Sequence, residues 1–478
     1  MAAAALLTVA GGGAAEPLTL FQAVEEALAK SPALAKARLD VSDAELDEPL
    51  LLAETDPRFV TGYRWSDDQA PRTQPAFQGT RSRTEAFDVG ILQRTLIGTE
   101  ARLGWTNLKT SNPATFRPLD PTVDSRLVLD VRQPLLRYLW GRPDRARRGA
   151  LRSGVQSARG RLRAGENDAA AAAARAYLRL HVAERALGIA EGALATARDL
   201  RSSYAEKRRY GLVEESDLFQ AEVSVQVQEL ELTLARSELE NARTALLAEL
   251  QRHTADRPAD VTPAGLPALP PAPADEDAVV RAALARRPDL AAAREVLAAA
   301  EWAARTARLE TLPELDFTGS YGVAGLDADH PGAWKDLRSR DHPIKSAGLN
   351  LTVPFGGRKE RLSRRAARFR VESARQDVEL AVQRVISEAR QAWVALRAAR
   401  DRAAAARRLL ELEGKKREAA EADFRRGRAT TDLLVRFRQD LHLAERRLLQ
   451  AESDEVQARL ELGRVTGTLL DLLAEARS

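Results

Sequence analysis

Residue types that carry chemistry are sparse in this chain and poorly placed for it. The five histidines, His181, His253, His330, His342 and His442, include no pair four residues apart, the spacing that puts two imidazoles on one helix face for a metal. Cysteine is absent, which excludes disulfides and thiolate metal sites, and the only methionine is Met1. No phosphate loop, nucleophile elbow or Cys/His cluster occurs. Two features could bind an anion. Gly356-Gly357 precedes a helical pattern at Arg358, and a helix N-terminus attracts anions. The same residues also read as a plain strand-to-helix turn. Arg142–Arg148 is a short basic run and a phosphate-binding candidate. The expectation is a chain with no catalytic residue, no cofactor and no metal, hence not an enzyme.

The elements that would position any site are long helices. Ala, Leu, Arg and Glu dominate, charged residues make up 30% and aromatic residues only 5% of 478 residues. That bias belongs to helices packed along their sides. Lys and Arg number 73 against 69 Asp and Glu, and the signs alternate along stretches such as Ala403–Arg428, as on a solvated helix face. A pI near 9.4 leaves a nucleic-acid-binding coiled coil as a reading, but the balanced charge argues for no nucleic-acid partner. No apolar run is long enough for a transmembrane helix, so any crossing of a membrane would use a β-barrel. Residues 1–15 are small and apolar and read as a signal-peptide remnant without its basic start.

The chain is a duplication. Ser31-Pro32-Ala33-Leu34 returns as Arg287-Pro288-Asp289-Leu290, an offset of 256 that also pairs Ala37 with Ala293, Glu45 with Glu301 and Pro57 with Pro313. Gln133-Pro134-Leu135 returns as Val353-Pro354-Phe355 at an offset of 220, so the first copy carries 36 additional residues before Pro134. Arg209-Tyr210-Gly211 returns as Arg425-Arg426-Gly427 at 216, together with Leu218 and Leu434, and Leu246 and Leu462. The first repeat spans 16–255 and the second 276–478, joined by a Pro/Ala-rich linker over 256–275.

Each repeat has one layout. A short helix (Leu20–Lys30; Glu276–Arg286) stops before Pro32 or Pro288, and a second follows (Leu34–Leu52; Leu290–Leu309). Strands are expected within 58–136 and 314–354, then a long helical hairpin over 144–251 and 358–467, broken at Gly211 and Gly427. About 66 residues of helix would reach roughly 100 Å, too long for a compact domain without side-by-side partners. Leu218, Ala221, Val225, Gln228, Leu232, Ala235, Leu239, Ala242 and Leu246 form the stripe for such packing. In the strands, Phe59, Thr61, Tyr63 and Trp65 share one face, and Leu349, Leu351 and Val353 alternate with Asn350 and Thr352. This alternation fits a barrel between lipid and water, and equally a half-buried soluble sheet. The insertion adds a further candidate hairpin (Phe87, Val89, Ile91; 102–107), either in the barrel or folded over its mouth.

In duplicated order, these motifs resemble the TolC family of outer-membrane efflux proteins. The carriers are Leu18-Thr19-Leu20…Ser31-Pro32 with its echo at Arg287-Pro288-Asp289-Leu290, and the strand-to-helix transitions at Pro134 and Pro354. The turns Tyr210-Gly211…Asp217-Leu218 and Arg426-Gly427…Asp432-Leu433 complete the set. The resemblance implies a mainly α fold with β, forming a homotrimer with one α-barrel in the periplasm and one shared transmembrane β-barrel in outer-membrane lipid. It also implies an inner-membrane pump and a periplasmic adaptor as partners, with substrates passing through without chemistry. A soluble periplasmic structural or adaptor protein with long hairpins is the alternative.

The resemblance places the helix turns at the periplasmic entrance and makes Gly211, Asp217, Gly427, Asp432 and Arg436 the gate candidates. Family members carry aspartates six and nine residues after the second glycine. Leu433 and Arg436 stand there in this chain, with an acid one position early at Asp432.

Overall fold

The computed structural model describes residues 16–477, apart from 116–118, 212, 253–260, 268, 272, 274, 354, 427 and 429. The signal-peptide reading of 1–15 therefore lies outside the described residues, as do Gly427 and Pro354. The chain forms two compact units. One comprises Met1–Asp40, Arg159–Ala292 and Glu379–Ser478, and the other Val41–Ala158 and Ala293–Val378.

The first unit is helical. α1 (Leu20–Lys30) starts at a reciprocal cap, in which Gln22 N–H donates to Thr19 Oγ1 (3.3 Å) and Thr19 N–H to Gln22 Oε1 (2.9 Å). It stops because the residue before a proline avoids the helical region; Ser31 is extended, with ψ 118°. α2 (Pro32–Ala53) then begins on the proline itself, two residues earlier than the apolar pattern implies. Proline's missing N–H has no helical partner at a first position anyway. The second copy repeats this at Arg287 and Pro288, between α6 (Glu276–Arg286) and α7 (Pro288–Leu309).

Two long hairpins run through this unit, α4 (Arg142–Arg209) with α5 (Glu215–Glu249) and α9 (Arg358–Arg425) with α10 (Thr431–Thr466), residues 142–158 and 358–378 belonging to the other unit. Leu20, Ala23, Val24 and Ala27 of α1 pack into a core with Ala170–Leu180 of α4 and Leu246, Leu247 and Leu250 at the end of α5. The equivalent core joins Val279, Ala283 and Leu290 to Val385, Ala389 and Leu396 of α9 and to Leu462 and Val465 of α10. Alanine at so many contact positions lets helix axes approach closely.

Three features of this unit depart from the pattern reading. α11 (Leu469–Arg477) follows α10, and its Leu469, Leu472 and Leu473 enter the first core. β1 (Glu16–Leu18) and, inside the Pro/Ala-rich stretch, β6 (Val261–Pro263) pair in parallel. Three-residue strands are too short to show any alternation.

The second unit is built on one antiparallel sheet. β2 (Arg58–Asp68), β3 (Ser82–Arg94), β4 (Glu100–Ser111), β5 (Thr122–Pro134), β7 (Glu314–Asp327) and β8 (Pro343–Thr352) lie in that order, so β2 and β8 are its two edges. The inserted hairpin, β3 and β4, occupies the middle of the sheet. A short helix α3 (Pro75–Gln78) lies in the β2–β3 connection. The β7–β8 connection, inside the 314–354 stretch where only strands are expected, contains α8 (His330–Ser339). Asp329 caps it by accepting from Gly332 N–H (2.8 Å), with Pro331 in its first turn.

Candidate channel wall and entrance turns

The sheet register aligns the apolar positions of all six strands. Opposite residues of antiparallel neighbours share a face. One row runs Phe59–Ile91–Leu103–Leu129–Tyr321 and the next Thr61–Val89–Trp105–Leu127–Val323. Phe317–Leu349 and Leu315–Leu351 extend the same face to β8. It carries large exposed side chains: Phe59 and Tyr63 are each 68% exposed, and Leu349 is 67%. A continuous apolar area of this kind marks contact with another molecule or with lipid.

The opposite face is polar. Arg132 donates to Asp316 (3.0 and 2.6 Å), and Ser320 Oγ donates to Asp130 Oδ1 (2.6 Å). Arg102 stands opposite Asp130. Each strand thus has one apolar and one polar face, the alternation of a wall between two media.

α8 covers the end of the apolar face where the strand connections lie. Phe87, Trp105 and Trp334 stack edge to face in sequence, each pair 5.7 Å apart. Ala333 and Leu337 of α8 are buried beside Gly325 of β7. At the other end of the sheet, Arg137 pairs with Glu314, and Arg94 with Asp144 (3.0 Å).

The first hairpin turn, the entrance candidate, closes on Gly211, whose φ of +69° favours glycine and whose N–H donates to Arg208 O (2.9 Å). Asp217 accepts from Glu214 N–H (3.2 Å), as the acid of a capping box that starts α5. Arg208 pairs with Glu215 (2.8 Å). At the second turn, Thr430 caps α10 by accepting from Leu433 N–H (3.4 Å), and Arg428 pairs with Asp423 (3.3 Å). Asp432 lies in the first turn of α10 and its side chain is outside the described atoms. Arg436 is exposed and faces no carboxylate within ion-pair distance among the described residues. Lys207 lies 4.9 Å above the Phe424 ring, so the ends of α4 and α9 adjoin.

Pro134 ends β5 opposite Asp316. Gly356 and Gly357, at φ +84° and +46°, form the turn into α9, and Arg361 donates to Gly356 O (2.6 Å). Within Arg142–Arg148, Arg147 and Arg148 are taken up by Asp144, Glu310 and Glu48, and Arg145 by Trp140 O. Little remains there for a phosphate. Arg152 and Arg148 together hold the Glu48 carboxyl down to about 2. The apolar stripe read on α5 is its buried side: Ala221, Val225, Leu232, Ala242 and Leu246. A second stripe, Phe219, Val223, Val227, Leu230 and Leu234, lies exposed on the same helix. It has the helical spacing of three and four, and scoring α5 for two stripes would find it. Among the described residues no group of three His, Cys, Asp or Glu is placed to hold a metal, and no helix is long and apolar enough to cross a membrane.

The comparisons agree with this geometry. Residues 279–468 match the outer membrane efflux protein family (OEP). No curated protein matches the chain in sequence. Among solved structures, the outer-membrane channel OprN aligns at TM-score 0.69 and 21% identity over 94% of this chain and 90% of its own. The CmeC outer membrane channel of Campylobacter jejuni aligns at TM-score 0.69 and 18% identity, over 94% and 86%. The MtrE outer membrane channel of Neisseria gonorrhoeae, in its open state, aligns at 0.67 and 19%, over 94% and 89%. Residues 279–468 are thus similar to the outer membrane efflux protein family, and the chain has the fold of these solved outer-membrane channels.

Proposed function

We propose that this chain is one subunit of a homotrimeric outer-membrane duct, which passively conducts substrates delivered by an inner-membrane pump through a periplasmic adaptor. The carrying observation is the sheet: one continuous apolar and exposed face, one charged face, and two edges without a partner strand. In a soluble protein that face would be covered. In lipid it is the outside of a barrel, and the row of Arg102, Asp130 and Arg132 lines the water. The exposed stripe of α5 supports assembly, because a second helical hairpin covers such a surface.

In this reading the turns at Gly211 and Gly427 form the periplasmic entrance. Asp217 is occupied in capping its own helix, which leaves Asp432 and Arg436 as the charges that set the pore's field. Three-fold repetition triples each charge in a narrow passage.

Membrane fractionation of the full chain, followed by planar-bilayer recording, tests the duct. Recovery in the outer-membrane fraction with conducting pores is expected, and recovery in the soluble periplasm overturns it. Arg436→Ala should shift ion selectivity toward cations; traces identical to wild type remove Arg436 from the gate.

A further inference from the structure

The 36 additional residues of the first copy supply a hairpin whose register is unbroken. β3 pairs with β4 from Arg83–Ser111 to Arg94–Glu100, and β4 continues into β5 from Glu100–Arg132 to Thr110–Thr122. The apolar rows cross it without interruption through Val89–Trp105–Leu127 and Ile91–Leu103–Leu129. The hairpin is therefore part of the wall and not a lid over its mouth.

The sheet holds an even number of strands, six, so β2 and β8 run in opposite directions. A β8 edge can then join the β2 edge of an identical copy as one more antiparallel pair. In hydrocarbon it must, because no water is there to bond the N–H and C=O groups of an unpaired edge.

The helices flanking the two edges carry opposite charge. α2 leads into β2 and exposes Leu46 and Leu50 beside Asp43 and Asp47, with Glu54 just beyond. β8 leads into α9, which exposes Leu362 and Phe369 beside Arg358, Arg361, Arg365 and Arg368. Arg365 lies over the Phe369 ring at 5.4 Å. Neither Asp43 and Asp47 nor these four arginines have an ion-pair partner among the described residues. Each set lies on one side of its helix by the three-and-four rule. Joining β8 to the β2 of a second copy brings these helix faces together, apolar to apolar and base to acid.

We infer that three copies close into an eighteen-stranded barrel through a β8–β2 joint, flanked by Arg358, Arg361, Arg365 and Arg368 of one copy and Asp43 and Asp47 of the next. This rests on the trimeric outer-membrane reading above. At a strand spacing of about 4.8 Å and a tilt of about 40°, eighteen strands give a wall roughly 36 Å across. Twelve strands, four from each copy, would give roughly 24 Å.

Electron cryomicroscopy of the full chain in lipid nanodiscs tests this directly. Eighteen wall strands around a three-fold axis are expected. A trimer with twelve wall strands and residues 82–111 outside the wall overturns the strand count while leaving the duct intact. Absence of any trimeric, membrane-embedded sheet overturns the duct itself, and the count with it. The joint is tested separately by charge reversal. Asp47→Arg and Arg365→Asp should each lower the temperature at which the trimer dissociates in detergent, and the double variant should recover it. Failure of the double variant to recover overturns the α2–α9 joint.

Discussion

The hydroxyl of Tyr177 donates to the carbonyl oxygen of Gly265 at 2.9 Å and accepts from the same residue's N–H at 3.3 Å. Tyr177 is wholly buried on α4, and Gly265 follows β6 with a φ of +133°, a conformation that favours glycine. One ring thus anchors the connection between the two copies. Tyr177→Phe keeps the ring and leaves both backbone groups without that partner, at a cost of about 1–3 kcal/mol. The loss should be local: amide exchange in 261–266 should quicken while the middle of α4 stays protected. Unchanged exchange in 261–266 would show the bond to be dispensable.

Acid should weaken α2's attachment to α4. Glu48 accepts from Arg148 and Arg152 at 2.8–2.9 Å, and its carboxyl is held at about 2 against an ordinary 4.5. A folded-state value below the unfolded one gives stabilisation that is complete above the unfolded value. It fades as pH falls from 4.5 to about 2. Arg152 is largely exposed, so screening limits the contribution to about 1 kcal/mol or less. Glu48→Gln should melt below wild type at pH 7, and the gap should close near the acid end of that window. A gap independent of pH would assign the effect to packing.

A third prediction concerns α8. A Cβ on Gly325 would lie 2.2 Å from Ala333 O and 2.4 Å from Leu337 N, both backbone atoms. Gly325→Ala must push the helix off the sheet, at a cost of about 1–3 kcal/mol. Trypsin should then cut after Lys335 and Arg338 faster than in wild type, while the remaining strands resist. Equal cleavage rates would refute the close packing.

Much of this molecule is legible in its sequence because repetition and period are global signals. The matched prolines at 32 and 288 mark where the first helix of each copy stops, and alternation places Phe59, Tyr63 and Trp65 on one face before any pairing is known. What escapes is local or relational. β1 and β6 are three residues each and exist only through their mutual pairing. α8 interrupts a segment otherwise rich in strand formers, and its only advance notice is Asp329 followed by Pro331. The place of the β3–β4 hairpin depends on which strands it neighbours, which no single-strand pattern encodes. At the two hairpin turns, the sequence offers both Asp217 and Asp432 as candidates. The capping bond to Glu214 N–H gives Asp217 a structural task that spacing cannot reveal.

The position of the inserted hairpin also bears on how such a chain can change over generations. Because β3 and β4 lie inside the sheet, their gain or loss leaves β2 and β8 outermost and preserves the helices that flank them. In the trimeric wall proposed above, the bore and the seams between subunits are thus separate modules. Selection can alter the aperture by whole hairpins without rewriting the surfaces by which identical subunits recognise one another.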